Sequence, residues 1–197
     1  MAKQRKPILD RRQAVADILS RRGDTLLVTG LGAPTWDTAA AGEHELDFAN
    51  WGGMGGATMV GLGVALAQPR RRVLVITGDG DMLMGLGSLA TIAVQKPRNL
   101  VVIVLDNEAF GETGRQRGLT AGRTDIAAVA RGFGIAKTMT VTEQGKVGEL
   151  ALLLFQAPGP VLAVAKIAIS EDPWALPEKD GATIAQRFRG ALGVEKS

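Results

Sequence analysis

RVLVITGDGDMLMGLGSLATIAVQKPRNLVVIVLDN, residues 72–107, holds two unbroken apolar runs joined by a stretch with helical spacing. Val73 to Ile76 and Leu100 to Leu105 show no polar alternation, as expected of strands buried on both faces. The helical pattern between them, over 82–95, is long enough for a crossover connection, so the two strands are expected to run parallel. Outward from this unit the alternation continues. TLLVTG (25–30) and PVLAVAKIAI (160–169) read as further strands, while 10–21, 55–68, 124–132 and 143–156 carry helical spacing. Strand and helix in alternation predict an α/β fold, a doubly wound, mostly parallel sheet with helices on both faces. After Ile169, SEDPWALPEKDG (170–181) is turn-rich and predicts an irregular surface tail before a last helix near 181–192. No repeat or internal linker is visible, and 197 residues at 46% hydrophobic suit one domain.

Composition excludes several classes of function. The 23 basic and 20 acidic side chains leave a net charge of +3, too small a bias to argue for a nucleic-acid partner. Basic residues cluster in KQRKPILDRRQ (3–13) and SRRG (20–23), where they read as solvated helix ends. The absence of cysteine removes disulfides, thiolate metal sites and cysteine-ligated iron–sulfur clusters. No apolar stretch approaches the roughly 20 residues that span a bilayer, and no apolar segment follows the basic start. Neither a membrane helix nor a secretory signal is therefore expected, and the default setting is cytoplasmic. GLGAPT (30–35) and GMGGAT (53–58) place Thr35 and Thr58 where a dinucleotide fingerprint needs its third glycine, and no phosphate-loop motif occurs. His44, the only histidine, lies in AAAGEHELDF (39–48) and cannot build a histidine-rich metal site.

In sheets of this kind ligands bind beyond the carboxyl ends of the strands, so the residues just after each strand carry the chemistry. The strand ending at Thr77 runs into Gly78-Asp79-Gly80, and the strand ending at Leu105 runs into Asp106-Asn107-Glu108-Ala109. Gly80 and Asn107 have 26 residues between them, enough for one helix and the next strand, so the two ends can lie side by side. The side-chain oxygens of Asp79 and Asn107, with the backbone carbonyl of Ala109, suit Mg2+, which takes few protein ligands and completes its octahedron with phosphate oxygens. Gly78 and Gly80 allow a tight turn and close approach of a ligand. A helix starting near Asp81 would aim free N–H groups at an anion such as a diphosphate. Each motif taken alone is also an ordinary turn or loop residue.

Gly-Asp-Gly, 26 residues and Asn at the end of an apolar strand closely resemble the magnesium–diphosphate signature of thiamine diphosphate (ThDP) enzymes. The likeness extends through residues 78–116 and upstream into NWGGMGGATM (50–59). It is nearest to the β subunits of sulfopyruvate decarboxylase and the matching domain of phosphonopyruvate decarboxylase. The resemblance implies a cofactor-binding set of Gly52, Gly53, Met54, Gly78, Asp79, Gly80, Asp81, Asn107, Ala109, Phe110 and Gly111, with Asp79, Asn107 and Ala109 holding Mg2+. Met54 stands where the family wedges an apolar side chain between the two thiamine rings, a gap that a flexible thioether fills well. The Gly52 carbonyl would accept a hydrogen bond from the 4′-amino group, and the Met54 N–H would donate to a ring nitrogen. Met54 and Gly52 are therefore the groups of this chain closest to catalysis, and the glycines around them let backbone reach the pyrimidine.

The implied function is that of the diphosphate-binding β subunit of a ThDP- and Mg2+-dependent 2-oxoacid decarboxylase. A carboligase of the acetolactate synthase kind, a 2-oxoacid oxidoreductase subunit and a non-catalytic ThDP-binding scaffold share the same motifs. The glutamate that activates the pyrimidine comes, in this family, from a separate pyrimidine-binding domain, and Glu43 and Glu45 precede the pyrimidine loop on the same domain. An α subunit is thus the expected partner, in an α2β2 or higher assembly. Three departures stand out. FGETGRQRG (110–118) has Glu112, Arg115 and Arg117 at the first, fourth and sixth places of a stretch that is commonly S-T-G-G-Q-P in the subgroup, where substrate choice could be made. Asp81 puts a carboxylate beside a diphosphate, which is repulsive unless it caps the helix or faces away, and it is read as structural. Gly85 and Gly87 each cost a helix about 1 kcal/mol against alanine, which suggests close packing there.

Overall fold

The computed structural model describes residues 9–170 and 172–194. The basic residues at 3–6 lie outside them. In chain order the elements are α1 (Arg11–Leu19), β1 (Leu26–Thr29), α2 (Ala33–Ala41), β2 (Asp47–Ala49), α3 (Ala57–Ala67), β3 (Val73–Gly78), α4 (Asp79–Met84), α5 (Ser88–Gln95), β4 (Leu100–Asp106), β5 (Ala109–Phe110), β6 (Gln116–Arg117), α6 (Ile126–Gly132), β7 (Lys137–Val141), α7 (Val147–Gln156), β8 (Val161–Lys166) and α8 (Gly181–Ala191). Six strands form one sheet in the order β2-β1-β3-β4-β8-β7, and every neighbouring pair is parallel. β5 and β6 form a small antiparallel hairpin beyond the end of β4. No helix among the described residues is long and apolar enough to cross a membrane.

The apolar runs are buried on both faces because successive strand side chains point to opposite sides. Val73 and Val75 of β3 and Leu100, Val102 and Val104 of β4 pack into one core with Leu62 of α3, Ile92 of α5, Ile126 of α6 and Phe188 of α8. Leu74 and Ile76 with Val101, Ile103 and Leu105 point into the other, against Val15 and Ile18 of α1 and Leu150 and Leu154 of α7. This is the doubly wound arrangement. The chain leaves β1 outward to β2 and then returns to β3 on the other side of β1, which makes the carboxyl end of the sheet near β1 and β3 a topological switch point.

The expected helix over 82–95 is two helices. α4 begins at Asp79 rather than near Asp81, ends at Met84 with Gly85 as its C-cap, and is followed by α5 from Ser88. A Cβ at Gly85 would overlap the Gly55 carbonyl oxygen, whereas one at Gly87 would meet nothing within 4 Å. Close packing thus explains Gly85, and not Gly87 within this chain. Gly85→Ala is expected to lower stability by about 1–3 kcal/mol, the usual cost of forcing an atom into a filled site. Urea unfolding at parental stability would show that the two backbone segments can part freely.

Two arginines expected at solvated helix ends are instead in buried ion pairs. Arg11 Nε is 2.6 Å from Asp37 Oδ2, with the Arg11 side chain only 11% exposed, and Arg22 pairs with Asp47 at 2.5 Å. Burial pushes both carboxyls above the usual carboxylate range, and the arginines oppose that shift. The cation is what lets Asp37 sit fully buried on α2.

Candidate cofactor site

The parallel register sets Gly78 of β3 opposite Leu105 of β4, so both strands end at the same level. Asp79 and Asn107 therefore emerge side by side, and both border one cavity of about 380 Å³ beyond the carboxyl ends of β1, β3, β4 and β8. Met54, Gly78, Gly80, Asp81, Ala109, Phe110 and Gly111 border it as well. Gly52 and Gly53 do not. Gly52 is exposed, and the Gly53 carbonyl accepts a hydrogen bond from Asn50 Nδ2 at 3.2 Å.

Asp79 opens α4 and is only 4% exposed. Its Oδ2 accepts from the Thr120 hydroxyl at 2.8 Å, and the same hydroxyl lies 2.8 Å from Asp106 Oδ1. Burial holds the Asp79 carboxyl above the usual range; the Thr120 hydrogen bond opposes this and the nearby Asp106 charge adds to it. Asn107 is fixed by its own turn, with Oδ1 accepting from the Ala109 N–H at 2.9 Å. A carbonyl oxygen has two lone pairs, so the atom keeps one acceptor site free of that bond. Glu108 then turns the chain with a φ of 60°, its carbonyl accepting from the Gly118 N–H, and the β5–β6 hairpin follows.

Met54 is half exposed on the cavity wall. A Cβ at Gly80 would lie 3.6 Å from Met54 Cε and 3.2 Å from the Phe110 ring, so the bare Gly80 backbone fills the narrow space between them. The loop carrying Met54 is held by Asp81. Oδ1 of Asp81 accepts from the Gly55 N–H, and Oδ2 accepts from the Thr77 hydroxyl at 2.5 Å. Asp81 does not cap the helix; Gly78 holds that position and Asp81 sits inside the first turn. Both carboxylate oxygens are committed to protein donors, which explains how a carboxylate can stand at this wall.

Among the described residues no group of three or more His, Cys, Asp or Glu could hold a metal ion. The site thus lacks a self-sufficient protein cage. Two side-chain oxygens and a backbone carbonyl instead match a cation that takes most of its ligands from phosphate and water. A divalent cation there would also offset the charge of two buried carboxylates sharing one hydroxyl. The N-cap of α4, Gly78, supplies no side-chain hydrogen bond, the Asp79 and Gly80 N–H groups reach the Asp79 carboxyl, and Gly78, Asp79, Gly80 and Asp81 all border the cavity.

Several wall residues were not legible as site residues. Gly32, Pro34 and Trp36 from the start of α2, together with Ile169, Ser170, Asp172 and Trp174 from the tail, line the far side. Trp36 and Trp174 stack with centroids 6.1 Å apart, and the Trp36 N–H points to Glu112 Oε1 at 3.4 Å. The signal that could have found the first group is its position just after a buried strand. Of the loop departures, Glu112 and Arg115 border the cavity, whereas Arg117 donates to the Ala121 carbonyl. His44 is exposed, closes a local turn by accepting from the Leu46 N–H at 3.1 Å, and does not border the cavity.

The chain is similar in sequence and fold to known proteins. The sequence is 39% identical to the sulfopyruvate decarboxylase subunit beta of Methanothermobacter thermautotrophicus over 64% of this chain and 68% of that one. It is 36% identical to the phosphonopyruvate decarboxylase of Streptomyces viridochromogenes over 84% of this chain and 42% of that one. The chain spans less than half the length of the longer relatives it matches. Among solved structures, a thiamine diphosphate-dependent 4-hydroxybenzoylformate decarboxylase of Rhodococcus jostii RHA1 superposes with a TM-score of 0.68 at 22% identity, covering 87% of this chain and 35% of that one, which shows the common fold. The profile of the family described as thiamine pyrophosphate enzyme, C-terminal TPP binding domain, matches residues 36–165, and the chain belongs to that family.

Proposed function

We propose that this chain is the diphosphate-binding half of a ThDP- and Mg2+-dependent 2-oxoacid decarboxylase, completed by a partner that carries a pyrimidine-binding domain. The observation that carries the reading is the convergence of Asp79, Asn107 and Met54 on one cavity at the switch point of the sheet. The relatives named sulfopyruvate and phosphonopyruvate decarboxylases support a 2-oxoacid substrate with a second acidic group.

In this reading Asp79, Asn107 and the Ala109 carbonyl hold Mg2+, and the first-turn amides of α4 receive the diphosphate. Gly80 keeps the floor flat between Met54 and Phe110. Met54, on a loop held through the Gly55–Asp81 bond, would pack against the cofactor and exclude water from its reactive carbon. ThDP held there would supply a nucleophilic carbon and an electron sink for decarboxylation of a 2-oxoacid. The exposed Gly52 backbone is left for contacts made in the assembled protein.

The reading is tested by product analysis with sulfopyruvate, phosphonopyruvate and pyruvate, using the protein with its partner. The aldehyde and carbon dioxide are expected, with the two acidic substrates preferred. A ligated hydroxyketone as main product would replace decarboxylation with carboligation, and no turnover with any 2-oxoacid would remove the enzymatic reading. Met54→Ala should lower kcat about tenfold or more, because a cofactor free to straighten is less often in the reactive geometry. Mg2+-dependent ThDP affinity should change far less. Unchanged kcat at saturating ThDP would place the wedge elsewhere.

A further inference from the structure

Asn107 is flanked in sequence by two carboxylates, and both reach the same cation. Lys166, the last residue of β8, places Nζ 2.7 Å from Asp106 Oδ2 and 2.8 Å from Glu108 Oε1. Burial lowers the Lys166 pKa, but the hydrogen bonds and charges of the two carboxylates outweigh that and leave it raised. The ammonium therefore spans Asn107 from one neighbour to the other. Glu108 sits at a φ of 60°, a conformation that L side chains rarely adopt, so the turn that aims Asn107 needs an external hold.

The hold continues to the other proposed metal ligand. Asp106, 3% exposed, accepts from the Glu108 N–H at 3.1 Å through Oδ1 and from Lys166 through Oδ2. Thr120 lies 2.8 Å from both Asp106 and Asp79, yet a hydroxyl has one proton to give. That one hydroxyl ties Asp79 Oδ2 to Asp106 Oδ1, and the Asp79 carboxylate also accepts from the Asp79 and Gly80 backbone N–H groups. The opposite oxygen of Asp79 has no side-chain donor of this kind.

We propose that Lys166, Asp106 and Thr120 form a brace that sets the Mg2+ affinity of the site by fixing Asn107 from behind and Asp79 from the side. They are positioning residues and do not touch the metal. The inference rests on the assignment of Asp79 and Asn107 as Mg2+ ligands. Removing Lys166 leaves the buried Asp106 charge uncompensated beside Asp79 and frees the Glu108 turn. Removing the Thr120 hydroxyl takes away the one side-chain donor to Asp79 Oδ2 and leaves the carboxylate to the backbone N–H groups of Asp79 and Gly80.

The test is a Mg2+ titration of the full protein with its pyrimidine-binding partner at fixed ThDP, read by quenching of tryptophan fluorescence. Lys166→Met and Thr120→Val are each expected to raise the Mg2+ concentration for half-saturation about 10- to 100-fold, the usual effect of losing support behind a metal ligand. ThDP affinity at saturating Mg2+ should stay within about threefold of the parent, a separation that general loosening of the fold would not produce. Lys166→Arg and Thr120→Ser keep the cation and the hydroxyl, and each should recover most of the affinity. If Lys166→Met does not fold, the Thr120→Val and Thr120→Ser pair carries the same comparison. Parental Mg2+ midpoints in correctly folded Lys166→Met or Thr120→Val would overturn the brace while leaving the ligand assignment intact. A parent protein whose ThDP binding ignores Mg2+ would overturn the assignment itself.

Discussion

Asp79→Ala is expected to weaken Mg2+-dependent ThDP binding at least about a hundredfold, which is about 2.8 kcal/mol at 1.4 kcal/mol per tenfold. Asp79 is the one charged group in the proposed ligand set, and the other two members are neutral oxygens that cannot hold a divalent ion against water by themselves. Unfolding should not be the cause. Burial raises the Asp79 pKa in the folded protein, so the metal-free fold loses stability as pH climbs from the ordinary carboxylate value through the raised one, and the loss persists at neutral pH. Asp79→Asn removes that charge at nearly constant volume. At neutral pH the metal-free Asp79→Asn protein should therefore unfold at a urea concentration no lower than the parent. Calorimetric titration of the assembled Asp79→Ala protein decides the point, and ThDP affinity within about threefold of the parent would sink the metal assignment.

The second large effect concerns the partner. Proton transfer by a positioned side chain contributes about 10²- to 10⁴-fold to a rate, and the proposed mechanism takes that group from a pyrimidine-binding domain. The glutamates that precede residues 50–59 are not available for it. Glu43 pairs with Arg187 at 3.0 Å and accepts from the Glu178 N–H, and neither Glu43 nor Glu45 borders the cavity. The described residues form one parallel sheet with its helices and the β5–β6 hairpin, and Met54 stands half exposed at the cavity. This chain alone, with ThDP and Mg2+, should decarboxylate at a rate at least about a hundredfold below that of the mixture with its partner. Substantial turnover by the chain alone, absent in an Asp79→Ala preparation made in parallel, would overturn the two-part site.

The central strands and the loops that follow them were legible because their signals are local. Val73–Gly78 and Leu100–Asp106 are buried on both faces, and such strands have no polar alternation to confuse them with surface segments. The 26-residue interval from Gly80 to Asn107 placed two oxygen-bearing side chains after adjacent strands, and the register bears out that adjacency. β7 was missed because it is an edge strand of which only Val141 is buried, and β2 because three residues carry no period. α2 was missed because its sequence, APTWDTAAA, buries Asp37 and Thr35 where an apolar stripe is expected. The first is neutralised by Arg11 of α1 and the second hydrogen-bonds the Gly30 carbonyl, partners that only the folded chain supplies.

Sequence by itself determined the parallel α/β class, the buried strands, and the placement of Asp79 and Asn107 after neighbouring strands, because burial on two faces and a fixed crossover length are properties of short segments. Tertiary structure alone decided the strand order, the split of the 82–95 helix where Gly85 meets the Gly55 backbone, and the stacking of Trp174 on Trp36 at the cavity wall. It also turned Asp81 from a possible cap into the tie that holds the Met54 loop. These features depend on contacts between residues far apart in the chain, where a side chain's role is set by the donor or cation that folding brings to it, and no local pattern of residues encodes that partner.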